Sequence, residues 1–156
     1  MTAVDTARRE GDKGRLLLQR YVRGVAASVS LLSDGRRAVA LCTNGQSVRA
    51  SRQCSYRGGT TPLDHPLARL GGEAALRTCE ALPGLRGYIG VDLVLTKSEA
   101  VVIEVNPRLT TAYLGVRAVI DDNVAAMVLA ACAGTLPEAP AIGRSVHFTP
   151  SGRLTA

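Results

Sequence analysis

Asp92, Glu104 and Asn106 are three oxygen-bearing side chains set in two adjoining apolar runs, with Arg108 just beyond. The first run is Gly87-Tyr-Ile-Gly-Val-Asp92-Leu-Val-Leu and the second Ala100-Val-Val-Ile-Glu104-Val-Asn106-Pro107-Arg108, joined by the polar Lys97-Ser98-Glu99. Two β-rich runs around a short polar turn predict an antiparallel hairpin. With Ser98 at the centre of the turn, Asp92 and Glu104 are equidistant from it and face one another. Glu104 and Asn106, two apart, point to one side of the strand. Converging hard oxygen donors suit Mg²⁺, which commonly takes nucleotide phosphates as further ligands. A single acid at a strand end is ordinarily a solvated terminus. Two acids and an amide with matched facing therefore leave two readings open, solvated strand ends or a cation site. Carboxylates buried without a cation would be costly.

The elements that must carry these residues are predicted as strands near Arg15–Val22, Ala26–Ser33, Arg37–Thr43 and Ser47–Tyr56. Asp34-Gly35 and Asn44-Gly45 are the expected hairpin turns. Arg57–Pro66, rich in Gly, Thr and Pro, is expected as a loop, and Leu67–Leu82 as a helix ended by Pro83-Gly84. Short helices are expected around Tyr113–Ile120 and Asn123–Ala133, with Asp121-Asp122-Asn123 as an N-cap cluster. A last strand is expected within Ser145–Thr149. The sum is an α+β fold with a mainly antiparallel sheet and flanking helices.

Composition narrows the class. At 156 residues the chain is one domain's worth. It is 46% hydrophobic but has a single Phe and no Trp, so its core is aliphatic. The net charge of +6 raises nucleic-acid binding as a reading. Its arginines are scattered and its few aromatics form no stacking pattern between them, so no nucleic-acid partner is expected. Cys42, Cys54, Cys79 and Cys132 form no C-x-x-C pair and have no His at zinc spacing, which fits reduced thiols and a cytoplasmic setting. The longest apolar run, Val124 to Ala133, is too short to span a bilayer, and residues 1–14 are too polar for a signal peptide.

The Asp92 … Glu104-x-Asn106-x-Arg108 pattern resembles the metal-binding end of the ATP-grasp superfamily, which includes biotin carboxylase, carbamoyl-phosphate synthetase and D-alanine–D-alanine ligase. That resemblance implies that Asp92, Glu104 and Asn106 supply oxygens to two Mg²⁺ ions (or Mn²⁺ in their place) bridging ATP phosphates. It assigns Arg108 to the transferred phosphoryl group or an acyl-phosphate intermediate. Arg15-Leu-Leu-Leu-Gln19-Arg-Tyr21-Val22-Arg-Gly24 is similar to the family's adenine hinge, with Gln19, Tyr21 and Val22 at the matching positions and Ile103 as part of the adenine floor. Ala26 falls where many members carry a ribose-binding Glu, a departure from the pattern.

A second departure lies upstream. The family's glycine-rich loop and phosphate lysines precede the hinge by tens of residues, yet all but two of the 19 basic residues here are arginines. Lys13 is too close to the hinge, and Lys97 belongs to a turn. The expected organisation is thus a polar leader over 1–14, the C-terminal portion of an ATP-grasp domain over 15–150, and a tail over 151–156.

Two loops are candidates for the second substrate. One is Tyr56-Arg-Gly-Gly-Thr-Thr-Pro-Leu-Asp-His65, where Tyr56 and His65 could contact a ligand, the alternative being a surface loop. The other carries Thr110, Thr111 and Tyr113 beside Arg108, suited to an anionic intermediate or, equally, to helix capping. The Asn-Pro-Arg-x-Thr-Thr-x-Tyr form and the Tyr-x-Gly-Gly loop resemble the branch that includes tyramine–L-glutamate ligase. The resemblance implies small-molecule carboxylate and amine substrates joined through an acyl phosphate. The competing reading is a truncated, non-catalytic remnant or a subunit completed by a separate N-terminal half, and the partners expected are that half or a second copy in a homodimer.

Overall fold

In a computed structural model, residues 3–11, 16–49 and 54–155 are described. Lys13, Arg15 and positions 50–53 of the expected Ser47–Tyr56 strand lie outside them. The elements are α1 (Ala3–Glu10), β1 (Val25–Asp34), β2 (Ala38–Arg49), β3 (Ser55–Thr61), α2 (Ala68–Glu80), β4 (Arg86–Leu95), β5 (Ala100–Asn106), α3 (Tyr113–Val119), α4 (Val124–Cys132), β6 (Val146–Phe148) and β7 (Leu154–Thr155). The strands form one sheet in the order β5-β4-β1-β2-β3-β6-β7, every neighbouring pair antiparallel. The α+β, mainly antiparallel expectation is borne out.

Period-two alternation gives the sheet two different faces. Ala27, Val29 and Leu31 of β1 and Ile89, Val91, Leu93 and Leu95 of β4 point to one side and pack with Ala75 and Cys79 of α2. Gly71 of α2 lies against the strands, where a Cβ would sit 3.3 Å from Leu95 Cδ2. The opposite side packs Leu32, Leu41 and Tyr88 against Val116 and Val119 of α3 and Val124 and Ala131 of α4. A one-residue slip of β4 would turn four buried aliphatic residues to the wrong face, each worth about 1.5–3 kcal/mol, so the register is firmly set.

Helix boundaries follow local chemistry. Asn123 caps α4, its Oδ1 accepting from Ala126 N at 3.1 Å. The N-cap position of α2, Leu67, has no side-chain cap; in the turn before it His65 Nδ1 accepts from Leu67 N at 3.1 Å. The Asp34-Gly35 turn forms as expected: Asp34 Oδ1 accepts from the N–H groups of Arg36 and Arg37, and Gly35 has φ +96°.

Three local expectations are corrected. Residues 16–23 form no strand. Both edges of β1 are already occupied by β2 and β4, so the segment leading into it has no ladder partner there. Asn44-Gly45 is not a turn but lies inside the continuous β2. Buried Asn44 donates to Ser30 Oγ at 3.0 Å and accepts from Thr61 Oγ1 at 2.7 Å, so tertiary partners replace the turn its dipeptide suggests. Residues 57–61, expected in a loop, complete β3 because Thr61 and Gly59 pair with β6. At the ends, residues 1–14 carry α1, and 151–156 carry β7, which pairs with β6.

Asn44 joins three strands, through Ser28 and Ser30 of β1 and Thr61 of β3. Replacing it with Ala leaves buried hydroxyls without partners. Asn44→Ala should lower unfolding stability by about 2–3 kcal/mol in urea titration, and a loss below about 0.5 kcal/mol would contradict that role.

Candidate active site

The β4–β5 hairpin sets Asp92 directly opposite Glu104, by a route that a regular hairpin would not take. Leu95 pairs with Ala100 and Leu93 with Val102, which centres the turn between Lys97 and Ser98. Continued without interruption, that register would place Ile103 opposite Asp92. A bulge intervenes between Asp92 and Leu93, and the ladder resumes with Asp92↔Glu104 and Gly90↔Asn106. Ile103 is the extra residue. The bulge also reconciles the two faces: Ala100, Val102 and Val105 all pack on the α2 side, while Glu104 and Asn106 share a cavity with Asp92 on the other.

This cavity has a volume of about 190 Å³ and gathers Asp92, Glu104, Asn106 and Arg108, with Thr110 and Thr111 on one rim and Tyr56 and Gln46 on another. Gln46 Nε2 donates to Asp92 Oδ1 at 2.9 Å. Asn106 Nδ2 reaches Asp92 Oδ2 at 3.5 Å, and Arg108 Nη2 donates to Asn106 Oδ1 at 3.2 Å. Pro107 follows the last β5 residue, and Arg108 N–H folds back to Asn106 O at 2.8 Å, turning the chain over the sheet. Gly90 makes that approach feasible, because a Cβ there would lie 2.5 Å from Thr110 Cγ2. Beneath the site, Tyr88 Oη donates to Ser30 Oγ at 2.6 Å. Burial pushes the Tyr88 phenol up to about 12, keeping it neutral.

The electrostatics centre on Asp92. Burial raises its pKa, the facing Glu104 raises it further, and Gln46 and Arg108 pull it down. A half-buried carboxylate opposed by a second one has an unmet demand for positive charge. Two carboxylates and an amide oxygen form an all-oxygen set that fits a hard divalent cation. Among the described residues no group of three or more His, Cys, Asp or Glu side chains is placed to hold a metal, here or elsewhere, so a cation in this cavity would rest on two carboxylates and an amide. Tyr56 lies close enough to Asp92 to feel its charge, and burial with that charge pushes the phenol up to about 12.

Other sequence candidates stand apart from this cavity. Gln19 and Tyr21 lie in the irregular segment before β1, with Tyr21 78% exposed, and Val22 is half-buried beside them. Ile103 is the 49% exposed bulge residue. His65 accepts from Leu67 N in the turn before α2, and Tyr113 packs edge-on against Tyr88 with ring centroids 5.8 Å apart. Gln46 was not singled out from the sequence. Its only local signal was its place one residue beyond an Asn-Gly pair that reads as a turn.

The raised Asp92 pKa fixes the sign of a stability effect. Its folded-state pKa exceeds the unfolded value, so its contribution is favourable in acid and is lost as pH rises through the folded pKa. Asp92→Asn, which still accepts from Gln46, should therefore raise the melting temperature of the cation-free chain at pH 7. The gain should shrink toward acid pH. A destabilised D92N at pH 7 would show that Asp92 carries no such penalty.

Residues 2–112 match the ATP-grasp domain family, which is more than half of the chain. Over 101 residues the chain is 34% identical to the tyramine–L-glutamate ligase of Methanocaldococcus fervens and 31% identical to that of Methanocaldococcus jannaschii. Each alignment covers 65% of this chain but only 33% and 32% of those enzymes, so the chain spans about a third of their length. An ATP-grasp superfamily protein from Archaeoglobus fulgidus superposes with a TM-score of 0.66 at 28% identity, covering 84% of this chain and 40% of that one. The urea carboxylase of Kluyveromyces lactis, at 17% identity and a TM-score of 0.68, shares the fold over 80% of this chain and 12% of its own. The resemblance seen in the Asp92–Arg108 motif is borne out: this chain belongs to the ATP-grasp family.

Proposed function

We propose that this chain supplies the ATP- and Mg²⁺-binding part of an ATP-dependent ligase that joins a small-molecule carboxylate to an amine in the cytoplasm. The observation that carries this reading is the Asp92–Glu104 opposition, with Asn106 and Arg108 in the same cavity. It is supported by the tyramine–L-glutamate ligase relatives. Asp92, Glu104 and Asn106 hold the cation. When bound, Mg²⁺ supplies charge neutralisation at phosphate oxygens. Gln19, Tyr21, Val22 and Ile103 are the proposed adenine contacts.

In the proposed reaction, a carboxylate oxygen of the first substrate attacks the γ-phosphorus of ATP. The bond from that phosphorus to the β–γ bridging oxygen breaks, giving ADP and an acyl phosphate. An amine nitrogen then attacks the acyl carbon, phosphate leaves with the C–O electron pair, and loss of the amine proton gives the amide. Little covalent chemistry falls to the protein in such transfers. Arg108 stabilises the negative charge spreading over the transferred group, and the Thr110 and Thr111 hydroxyls orient it. Tyr56, His65 and Tyr113 are the weaker substrate candidates.

A second reading, in which another polypeptide completes the site, is favoured by one observation. Leu17 and Leu18 are 80% and 93% exposed within the proposed hinge, beside exposed Leu16 and Tyr21. Consecutive exposed leucines suit a covering partner.

Thermal unfolding with and without Mg·ATP tests the proposal. At about a hundred times the dissociation constant, binding should add roughly 2.7 kcal/mol of stability. The shift should vanish with EDTA and in Glu104→Ala; a shift that survives both would remove the metal assignment. In an assembled, active enzyme, Arg108→Ala should lower turnover more than nucleotide affinity, and an affinity-only defect would contradict its part in the transfer.

A further inference from the structure

The sheet carries a second, larger cavity of about 550 Å³, on the face away from Asp92. One row of paired residues crosses it. Gly45 of β2 pairs with Thr60 of β3, Thr60 with His147 of β6, and His147 with Thr155 of β7. Residues in register across antiparallel strands project to one side. That side is opposite the candidate active site, because the neighbouring residues Asn44, Gln46 and Thr61 direct their side chains to Ser30, Asp92 and Asn44. Gly45 contributes no side chain, which leaves the trough open between Leu63 and the Thr60 row.

The lining mixes apolar side chains, among them Val25, Leu63 and Phe148, with polar ones whose charge is of one sign. Arg57 and Arg153 stand in it with His147 and Thr60, and among the described residues no acidic side chain lines it. Among the described residues neither guanidinium has a carboxylate partner. Local bonds build the site. His147 Nδ1 is paired with Thr60 Oγ1 at 2.8 Å, which leaves Nε2 for a ligand. Arg153 is set by the β6–β7 turn, in which its N–H donates to Thr149 Oγ1 at 3.1 Å and Gly152 takes φ +87°. Two forked donor groups lining one cavity with a hydroxyl and an imidazole suit the oxygens of a phosphate or carboxylate.

We propose that this trough binds a small oxyanion, a phosphate or carboxylate group on a low-molecular-weight ligand, at a site separate from the candidate active site. Arg57 and Arg153 clasp the anion, and Thr60 and His147 form the floor. The assignment is independent of the proposed ligase function.

The test follows amide resonances of the full chain during titration with sodium phosphate and, separately, sodium succinate, at ionic strength held constant with chloride. Saturable shifts centred on Thr60, His147 and Arg153 are expected from at least one probe, and which probe acts separates phosphoryl from carboxylate ligands. The double variant Arg57→Ala/Arg153→Ala should weaken that binding by about tenfold or more. Both side chains are exposed, so the fold should survive, and Arg108→Ala should leave the affinity unchanged. The proposal is overturned if neither probe gives saturable shifts, if the shifts centre on Asn106 and Arg108, or if the double variant binds as tightly as the parent chain.

Discussion

Two carboxylates facing each other across a hairpin are the constraint around which this domain is arranged. Directly opposed like charges destabilise a strand pair, yet Asp92 and Glu104 are paired partners and Asp92 is half-buried. The surroundings moderate that cost. Gln46 reaches across from β2 to hold one Asp92 oxygen, and Asn106 and Arg108 form a donor chain toward the other. These contacts hold the Asp92 carboxylate in place but do not neutralise it. The one nearby full positive charge, on Arg108, is engaged with Asn106 Oδ1 and Leu109 O. The balance of charge around Asp92 thus still favours added positive charge.

The sheet separates stability from chemistry by face. On the α2 side the alternation along β1 and β4 is aliphatic and sets the register. On the other side the same strands carry Ser28, Ser30, Asn44 and Tyr88, a buried polar layer running from the α3/α4 core to the rim of the cavity. Among the described residues every buried side-chain nitrogen and oxygen has a partner. A fully satisfied polar layer is stiff, because moving one member strands its neighbours. Thr110 packs directly over Gly90 of β4, where a Cβ would meet its Cγ2 at 2.5 Å, so the loop after β5 lies close against the sheet.

Much of this was legible in the sequence. The apolar alternation, the Asp34-Gly35 turn, the α2–α4 helices and the Asp92/Glu104/Asn106 grouping all follow from period and residue type. The Asp92–Glu104 pairing was reached from a Ser98-centred turn, whereas the structure combines a different turn centre with the Ile103 bulge. The two offsets cancel, and a single sequence contains no sign of either. The Asn44-Gly45 misreading has a different origin. The dipeptide is a strong local turn signal, and it was overridden by partners on β1 and β3 that only the assembled sheet brings near. Gln46 was hidden for the same reason, since its partner lies 46 residues away. Residues 16–23 have strand-like composition but no adjacent edge to join.

The most direct test of the paired carboxylates as a cation site is paramagnetic broadening by Mn²⁺, added with ATP to the isotope-labelled chain. Broadening should be steepest at the amides around Asp92, Glu104 and Asn106 and should reverse with excess Mg²⁺. It should be lost when Glu104 is changed to Gln. Broadening centred elsewhere, or unchanged by that substitution, would mean that the Asp92–Glu104 pair does not hold the metal.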